Sequence, residues 1–443
     1  MTESNVSSTE TNGIPMPPWW DGHKLNEVAF CNAFIKEHPM ISVGDTFFTV
    51  DGRVDDEALL RQEIYTMISP YVTGAVSKRV HDLVEVLRLQ CYTPSLPLHT
   101  DRIHVANGTL FLNGTFTEAK EYCRNRLPVT FKPDADVPKC WLDFLMQLLT
   151  QEDIVTLQEF MGYCLIPSTK GQKMLFLIRQ SGEGKSRIGI VMRRLLGSNM
   201  NTGSIAKVET QKFARADLEH ILVMVDDDMK LEALPQTNNI KAIITAEQPM
   251  DLEKKGKQSY QGDLYVRFMV FGNEALQALY DRSAGFFRRQ IILTTKERDP
   301  NRIDDPYLAE KLCAEADGIF YWAFLGLRNL IANNYRFTIS ERAQQNLCNL
   351  MHEGNPIPEF LSSEGYIRLS PKAQASSGAL FRVYRQWCDD NATPSFSQKS
   401  FCASVKQLAS QYGLQYTNKI PLSDGRIVRG FTGISVLLPG FGK

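Results

Sequence analysis

The chain of 443 residues carries nine cysteines but no C-x-x-C pair. That spacing excludes a zinc ribbon and offers no disulfide framework, so the thiols read as reduced, as in a cytoplasmic protein. Long apolar runs are missing too. The longest, "IFYWAFLGL" (Ile319–Leu327), is far short of the roughly 20 residues a membrane helix needs. The start, "MTESNVSSTETNG", is polar and acidic and lacks the basic-then-apolar order of a secretory signal. The expected compartment is therefore cytoplasmic, with no membrane partner. Net charge is also nearly absent, at −1. A nucleic-acid site must then be a local patch, not a field over the whole molecule.

What is present is an ordinary globular composition, 43% hydrophobic and 22% charged, long enough for two or three domains. Residues 1–16 are rich in Ser, Thr and Asn and read as a disordered tail. Residues 17–137 read as a mainly helical α+β domain. "DEALLRQEIYTMIS" and "AVSKRVHDLVEVLRL" show helical spacing. "RIHVANGTLFLNGTF" alternates around two Asn-Gly pairs, a hairpin signal. The glycosylation patterns at Asn107 and Asn113 read as those hairpin turns. Residues 138–170 read as two packed helices, a collar or oligomerisation segment. From 171 to 335 strands alternate with helices, as in an α/β core. A Pro/Ser/Gly-bearing linker is expected over 336–377, and a small separate domain over 378–443.

The chemistry concentrates in 171–335. "LFLIRQSGEGKSRIGIVMRRLL" is strand, glycine loop and helix. Such a turn aims backbone N–H groups and a helix N-terminus at an anion. Ser181, Gly182, Glu183, Gly184, Lys185 and Ser186 form the expected nucleotide cradle, with Lys185 on the β/γ-phosphates of ATP and Ser186 on Mg²⁺. The phosphate-loop pattern wants a glycine where this chain has Arg179, a departure that bears on nucleotide affinity. Downstream, "HILVMVDDDMK" is an apolar strand ending in acids. Asp226 is expected to hold Mg²⁺ and Asp227 to polarise the attacking water. The same aspartates also suit a two-metal polymerase or primase site. "LYVRFMVFGNEAL" is a further buried strand, ending in Asn273. An amide there can hold the lytic water or the γ-phosphate, or serve as a turn residue after Gly272. "SAGFFRRQIIL" then brings Arg288 and Arg289, suited to charge on a transferring phosphoryl group when supplied across a subunit boundary.

That ordered set resembles the superfamily 3 DNA helicases. The likeness is to the helicase portion of phage and plasmid primase-helicases and to the replication initiators of mobile genetic islands. It rests on "SGEGKS", "LVMVDDD", "LEKKGKQSYQGDLYVRFMVFGN" and "DRSAGFFRRQIIL", and spans about residues 100 to 335. The resemblance implies an AAA+-like P-loop ATPase core. It also implies a homo-oligomeric ring, usually a hexamer, with ATP at subunit boundaries and 3′-to-5′ translocation on single-stranded DNA in the pore. It puts Lys185 and Ser186 on the P-loop, Asp226 and Asp227 on the acidic strand, Asn273 on the sensor position and Arg289 on the finger, with Arg288 close behind. Lys254, Lys255 and Lys257 surround Gly256 between two expected strands. Lysines on a hairpin tip grip phosphates without reading bases, and the resemblance places such a hairpin in the pore.

The last segment reads helix, turn, helix and then a hairpin through Ser423-Asp424-Gly425. Leu380, Val383, Tyr384 and Trp387 share one helical face; Phe401, Val405 and Leu408 share the next. From Ser376 onward eight Lys/Arg face three acids, a net +5. A winged helix fits, with Arg426 and Arg429 on the wing and origin duplex DNA as its partner; docking of another protein is the alternative.

The sequence therefore leads to an ATP-dependent DNA helicase that starts or sustains replication of a phage or mobile element, with a separate primase or initiator as a possible partner. The alternatives are a remodelling or DNA-packaging P-loop ATPase and a non-enzymatic origin-binding regulator.

Overall fold

A computed structural model describes residues 16–178, 184–227, 236–272, 284–297, 301, 304–354, 356–391, 393, 395–422 and 424–437. The chain divides into two compact units, Met1–Asp281 with Arg288–Gln344, and Arg282–Phe287 with Gln345–Lys443.

In the first unit, helices Glu27–Glu37, Glu57–Ile68 and Val76–Gln90 pack Phe30, Phe34, Ile64, Leu83 and Leu87 around Phe47 of a small antiparallel meander. Side-chain caps start two of these helices: Asn26 Oδ1 accepts from the Ala29 amide at 3.0 Å, and Asp56 Oδ1 from the Ala58 amide at 2.8 Å. This cluster runs from Trp19 to Cys91. The hairpin Arg102–Val105 with Gly108–Phe111 does not join it. Its Ile103, Val105 and Leu110, with Leu127 and Phe131, belong to the larger core that continues to Ala343. Core membership thus changes near residue 100, whereas the reading of the sequence carries one domain to 137.

Five strands form the central sheet: β1 (Met174–Ile178), β2 (Met200–Thr202), β3 (Val223–Asp226), β4 (Arg267–Gly272) and β5 (Gln290–Thr294). All are parallel, in the order β5-β1-β4-β3-β2. Such strands are buried on both faces and read as continuous apolar runs; Met174 to Leu177 and Phe268 to Phe271 are all buried. Register aligns Phe176 with Val270 and Val270 with Asp226, and Ile178 with Gly272.

Helices Gln151–Tyr163 and Ala316–Ala332 cross backbone to backbone beside this sheet. A Cβ on Gly162 would lie 2.3 Å from Ala323 O and 2.4 Å from Leu327 N; one on Gly326 would lie 2.4 Å from Gln158 O. Two buried carboxylates tie the same helix to the chain beyond it. Glu159 accepts from Thr338 N at 2.7 Å and Thr338 Oγ1 at 2.8 Å, and Asp153 accepts from Ser340 Oγ at 2.6 Å. Helix Gln151–Tyr163, read as part of an oligomerisation segment, is therefore packed into its own chain.

In the second unit, the residues expected as a linker carry helices Glu341–Gly354 (whose first residues belong to the first unit) and Ile357–Leu361, and strand Ile367–Ser376. Pro371 disguises that strand. Proline cannot donate to a ladder and is tolerated at an edge or bulge, and pairing breaks between Leu369 and Gln374 around it. Helices Ser377–Asp390 and Gln398–Leu408 follow, then strands Gln415–Pro421 and Ile427–Val436. The antiparallel sheet places Ile427–Val436 in the middle. Leu380, Val383, Tyr384, Trp387, Phe401 and Val405 are buried, as their spacing requires, and the Tyr384 and Phe401 rings stack at 4.6 Å.

The helix crossing generates a stability prediction. Gly162→Ala and Gly326→Ala meet backbone atoms that no rotamer change relieves, so each is expected to cost about 3 kcal/mol, the upper end for overpacking. Urea denaturation would measure this; a loss below about 1 kcal/mol would contradict the close crossing.

Candidate nucleotide site and lysine hairpin

β1 ends at Ile178, and the residues after it, 179–183, lie outside the described residues. Arg179, Ser181, Gly182 and Glu183 are among them. Gly184 follows with φ +101, the left-handed region that suits glycine. Helix Lys185–Leu196 starts immediately after it. Gly184 has no side chain to cap the first turn, so a helix N-terminus, with its partial positive charge, stands at the end of the glycine stretch. Ser186 is exposed there. The helix lies close on the sheet because Gly189 faces Phe271 of β4, whose ring would be 3.1 Å from an added Cβ.

Lys185 is buried, and its Nζ donates to the Gly272 carbonyl at 3.1 Å. The lysine at the head of the helix thus touches the C-terminal end of β4. Asn273, the next residue, lies outside the described residues. Asp226, the last residue of β3, is also buried. Its Oδ2 accepts from the Ile205 amide at 2.8 Å, at the start of helix Ile205–Thr210. Asp227 follows and is exposed. With neighbouring strands roughly 4.8 Å apart, the sheet order sets Lys185 at the end of β4, the strand between β1 and the strand that ends in Asp226. An amine at the end of one strand, a carboxylate at the end of the next and a helix N-terminus make an arrangement suited to an anion carrying a divalent cation.

Arg288 and Arg289 are not brought to this edge. They immediately precede β5, whose first residue, Gln290, pairs with Met174 at the start of β1. The Arg289 carbonyl accepts from Met174 N at 2.8 Å. Four strand steps separate Met174 from Ile178, about 13 Å, more than an arginine side chain spans. Arg288 is exposed, and its carbonyl accepts from Lys173 Nζ. Burial, and then the Arg288 charge, push the Lys173 amine below its ordinary pKa.

The lysines at 254, 255 and 257 do sit on a hairpin. Met250–Leu252 pairs antiparallel with Tyr260–Gly262, Lys257 N closes the turn on Lys254 O at 3.0 Å, and Gly256 has φ +76. All three lysines are exposed, but two have carboxylate partners. Lys254 Nζ lies 2.7 Å from Glu219 Oε2, which also accepts from the Tyr260 hydroxyl at 2.7 Å. Lys257 pairs with Asp45 of the N-terminal meander. Among the described residues Lys255 has no ion pair. Burial pushes the Glu219 carboxyl up, but the bonds from Lys254 and Tyr260 outweigh it and hold the pKa below the usual value. Glu219, Tyr260 and Asp45 were not singled out from the sequence.

In the second unit Arg426 lies at the hairpin turn, with its Nε 2.7 Å from Asp424 Oδ2. Arg429 is exposed on Ile427–Val436. Ser423 lies outside the described residues.

Comparisons with known proteins show the fold and leave the chemistry open. A family model described as a family of unknown function (DUF5906) matches residues 177–289, the stretch from the end of β1 to Arg289. No curated protein matches the chain. Among solved structures, the A-form apo structure of the NrS-1 C-terminal region is similar at 10% identity and TM-score 0.50, covering 91% of this chain and 98% of that one. A further apo structure of the NrS-1 C-terminal region is similar at the same identity and score, covering 92% and 99%. The chain is thus a mixed α/β protein with a parallel sheet and several helices, similar in fold to that region. No helix among the described residues is long and apolar enough to cross a membrane.

The base of the hairpin yields a pH prediction. Burial, and then the Arg124 guanidinium, depress His220 to about 4; burial, and then Arg126, depress His104 to about 3. A neutral His220 Nε2 accepts from Arg124 Nη1 at 2.6 Å. Both folded values lie below the unfolded one, about 6.5, so protons favour the unfolded chain. Stability is expected to be full above about pH 7 and to fall as pH drops from about 6.5 toward about 4. Urea midpoints across that range should show a shallower fall in His220→Gln; an identical slope would count against the buried neutral ring.

Proposed function

We propose that this chain is an ATP-driven DNA motor, a helicase acting in the replication of a phage or mobile element. Its first unit would be an AAA+-like P-loop ATPase and its second a winged-helix domain. One observation carries the reading: the strand order β5-β1-β4-β3-β2, with Lys185 donating to the end of β4, the strand between β1 and the strand that ends in Asp226. Bound ATP with Mg²⁺ would supply a phosphoanhydride bond whose cleavage drives the cycle. Lys185 and the first-turn amides would hold the phosphates, with Ser181, Gly182, Glu183 and Gly184 around them. Ser186 and the Asp226 carboxylate would hold the cation. Asp227, exposed beside it, would orient water, and Asn273 would stand between.

Arg289 cannot serve its own loop from the far edge of the sheet, so in this reading it completes a neighbour's site in a ring, expected to be a hexamer. Lys254, Lys255 and Lys257 would carry single-stranded DNA through the pore. Glu219 and Asp45 occupy two of these lysines as phosphates would, so Lys255 makes first contact and the other two exchange partners. In the second unit the order helix, strand, two helices and two strands, with the last strand central, supports the winged helix. The helix Gln398–Leu408 and the turn bearing Arg426 and Arg429 would face duplex DNA.

ATP turnover with and without single-stranded DNA tests the reading. Wild type should be stimulated by DNA, and Lys185→Ala and Arg289→Ala should each lose at least tenfold. Mixing the two variants should restore part of the rate, because some interfaces regain both groups. Turnover indifferent to Lys185→Ala would leave a non-enzymatic DNA-binding protein. Turnover without strand displacement on forked DNA would leave a remodelling or packaging ATPase. Lys255→Ala should make the salt dependence of DNA binding shallower by about 0.7 in log–log slope for each phosphate the variant no longer neutralises.

A further inference from the structure

Away from the nucleotide site, three side chains with metal-ligand chemistry meet beside the hairpin Arg102–Val105 with Gly108–Phe111. His99 Nδ1 lies 2.8 Å from His104 Nε2, and one ring nitrogen of each histidine and a Glu121 carboxylate oxygen all lie within 4.8 Å of one another. We infer that His99, His104 and Glu121 form a zinc site with one coordination position left for an exogenous ligand.

The surroundings fix the ligand atoms. The Thr109 hydroxyl has one proton, and it goes to the Ala119 carbonyl at 3.1 Å. Thr109 Oγ1 must then accept from His104 Nδ1, 3.3 Å away. That leaves the His104 Nε2 lone pair pointing at His99. An acceptor on the other ring nitrogen is how metal-bound histidines are oriented. His104 is buried, and a histidine binds a metal in its neutral form. Glu121 is positioned through its backbone: its carbonyl accepts from Arg126 Nη2 at 2.9 Å, and Arg126 also donates to Val105 O and Gly108 O.

Arg102 opposes the cation but does not block it. Its Nε and Nη2 hold Asp101 at 3.1 and 3.0 Å, whereas Glu121 meets only Nη1, at 3.2 and 3.4 Å. Glu121 can turn to the imidazoles while Arg102 keeps a carboxylate. Two nitrogens on one tetrahedral zinc sit about 3.3 Å apart, so the rings need to part by only about half an ångström. Two histidines and one carboxylate suit zinc, and three protein ligands leave the fourth position open. A small cavity lined by His99, His104, Cys123 and Pro167, and also by Arg102 and Arg124, adjoins the rings.

The test is zinc and cobalt(II) titration of the chelator-stripped full chain, read by calorimetry, by the ligand-field bands of cobalt and by the melting midpoint. One equivalent should bind and raise the midpoint. His99→Ala and Glu121→Gln, both at partly exposed positions, should each weaken binding at least tenfold, and Thr109→Val about tenfold. Circular dichroism would establish that these variants fold, which buried His104 substitutions need not. Asp226→Asn should leave the affinity unchanged, which separates this site from the nucleotide site. Absence of saturable binding, or binding that survives both His99→Ala and Glu121→Gln, overturns the inference. None of these readouts depends on ATP turnover.

Discussion

The insertion of β4 between β1 and β3 governs everything at the sheet edge that carries Lys185 and Asp226. It keeps the end of β1 and Asp226 two strands apart, and it gives Lys185 a backbone carbonyl to hold in the gap. It also demands a close helix, which Gly189 permits against Phe271. A larger residue at 189 would lift the helix N-terminus off the strand ends and move Lys185 with it. The chemistry proposed for this edge thus rests on a packing contact deep in the core.

The same sheet separates two sets of charges along its strands. Asp226, Asp227 and Lys185 gather where the strands end, and Arg288, Arg289 and Lys173 where they begin. In the ring proposed above, these two ends would serve as an acceptor edge and a donor edge. Two copies arranged head to tail would complete each other, the heterologous contact from which rings are made.

Local features were legible in the sequence and long-range ones were not. The strand before the glycine stretch and the helix that starts at Lys185 follow from one contiguous pattern, as does the turn at Gly256, whose positive φ only glycine adopts freely. The faces of Leu380, Val383, Tyr384 and Trp387 follow from helical spacing. By contrast, Lys257 meets Asp45 from 212 residues away and Lys254 meets Glu219 from 35. No periodicity encodes such pairs, so the hairpin could be read but not what holds it. Strand Ile367–Ser376 was hidden for another reason. Only Ile367 and Ala375 are buried along it, and Pro371 interrupts the alternation. Ser181, Gly182, Glu183 and Asn273 lie outside the described residues, so their part in the site rests on sequence alone.

Pro371 has a consequence beyond disguise. Its strand is at one edge of the three, and an outer strand exposes a row of unpaired amides and carbonyls on which a foreign chain can build. Here that row is broken in the middle, where Ser370 to Ala373 loop out opposite Gly433, with Pro371 and Lys372 exposed. A proline without an amide and a lysine with a full charge leave no uninterrupted template, so the basic C-terminal unit can stand at high local concentration without its sheets growing into one another.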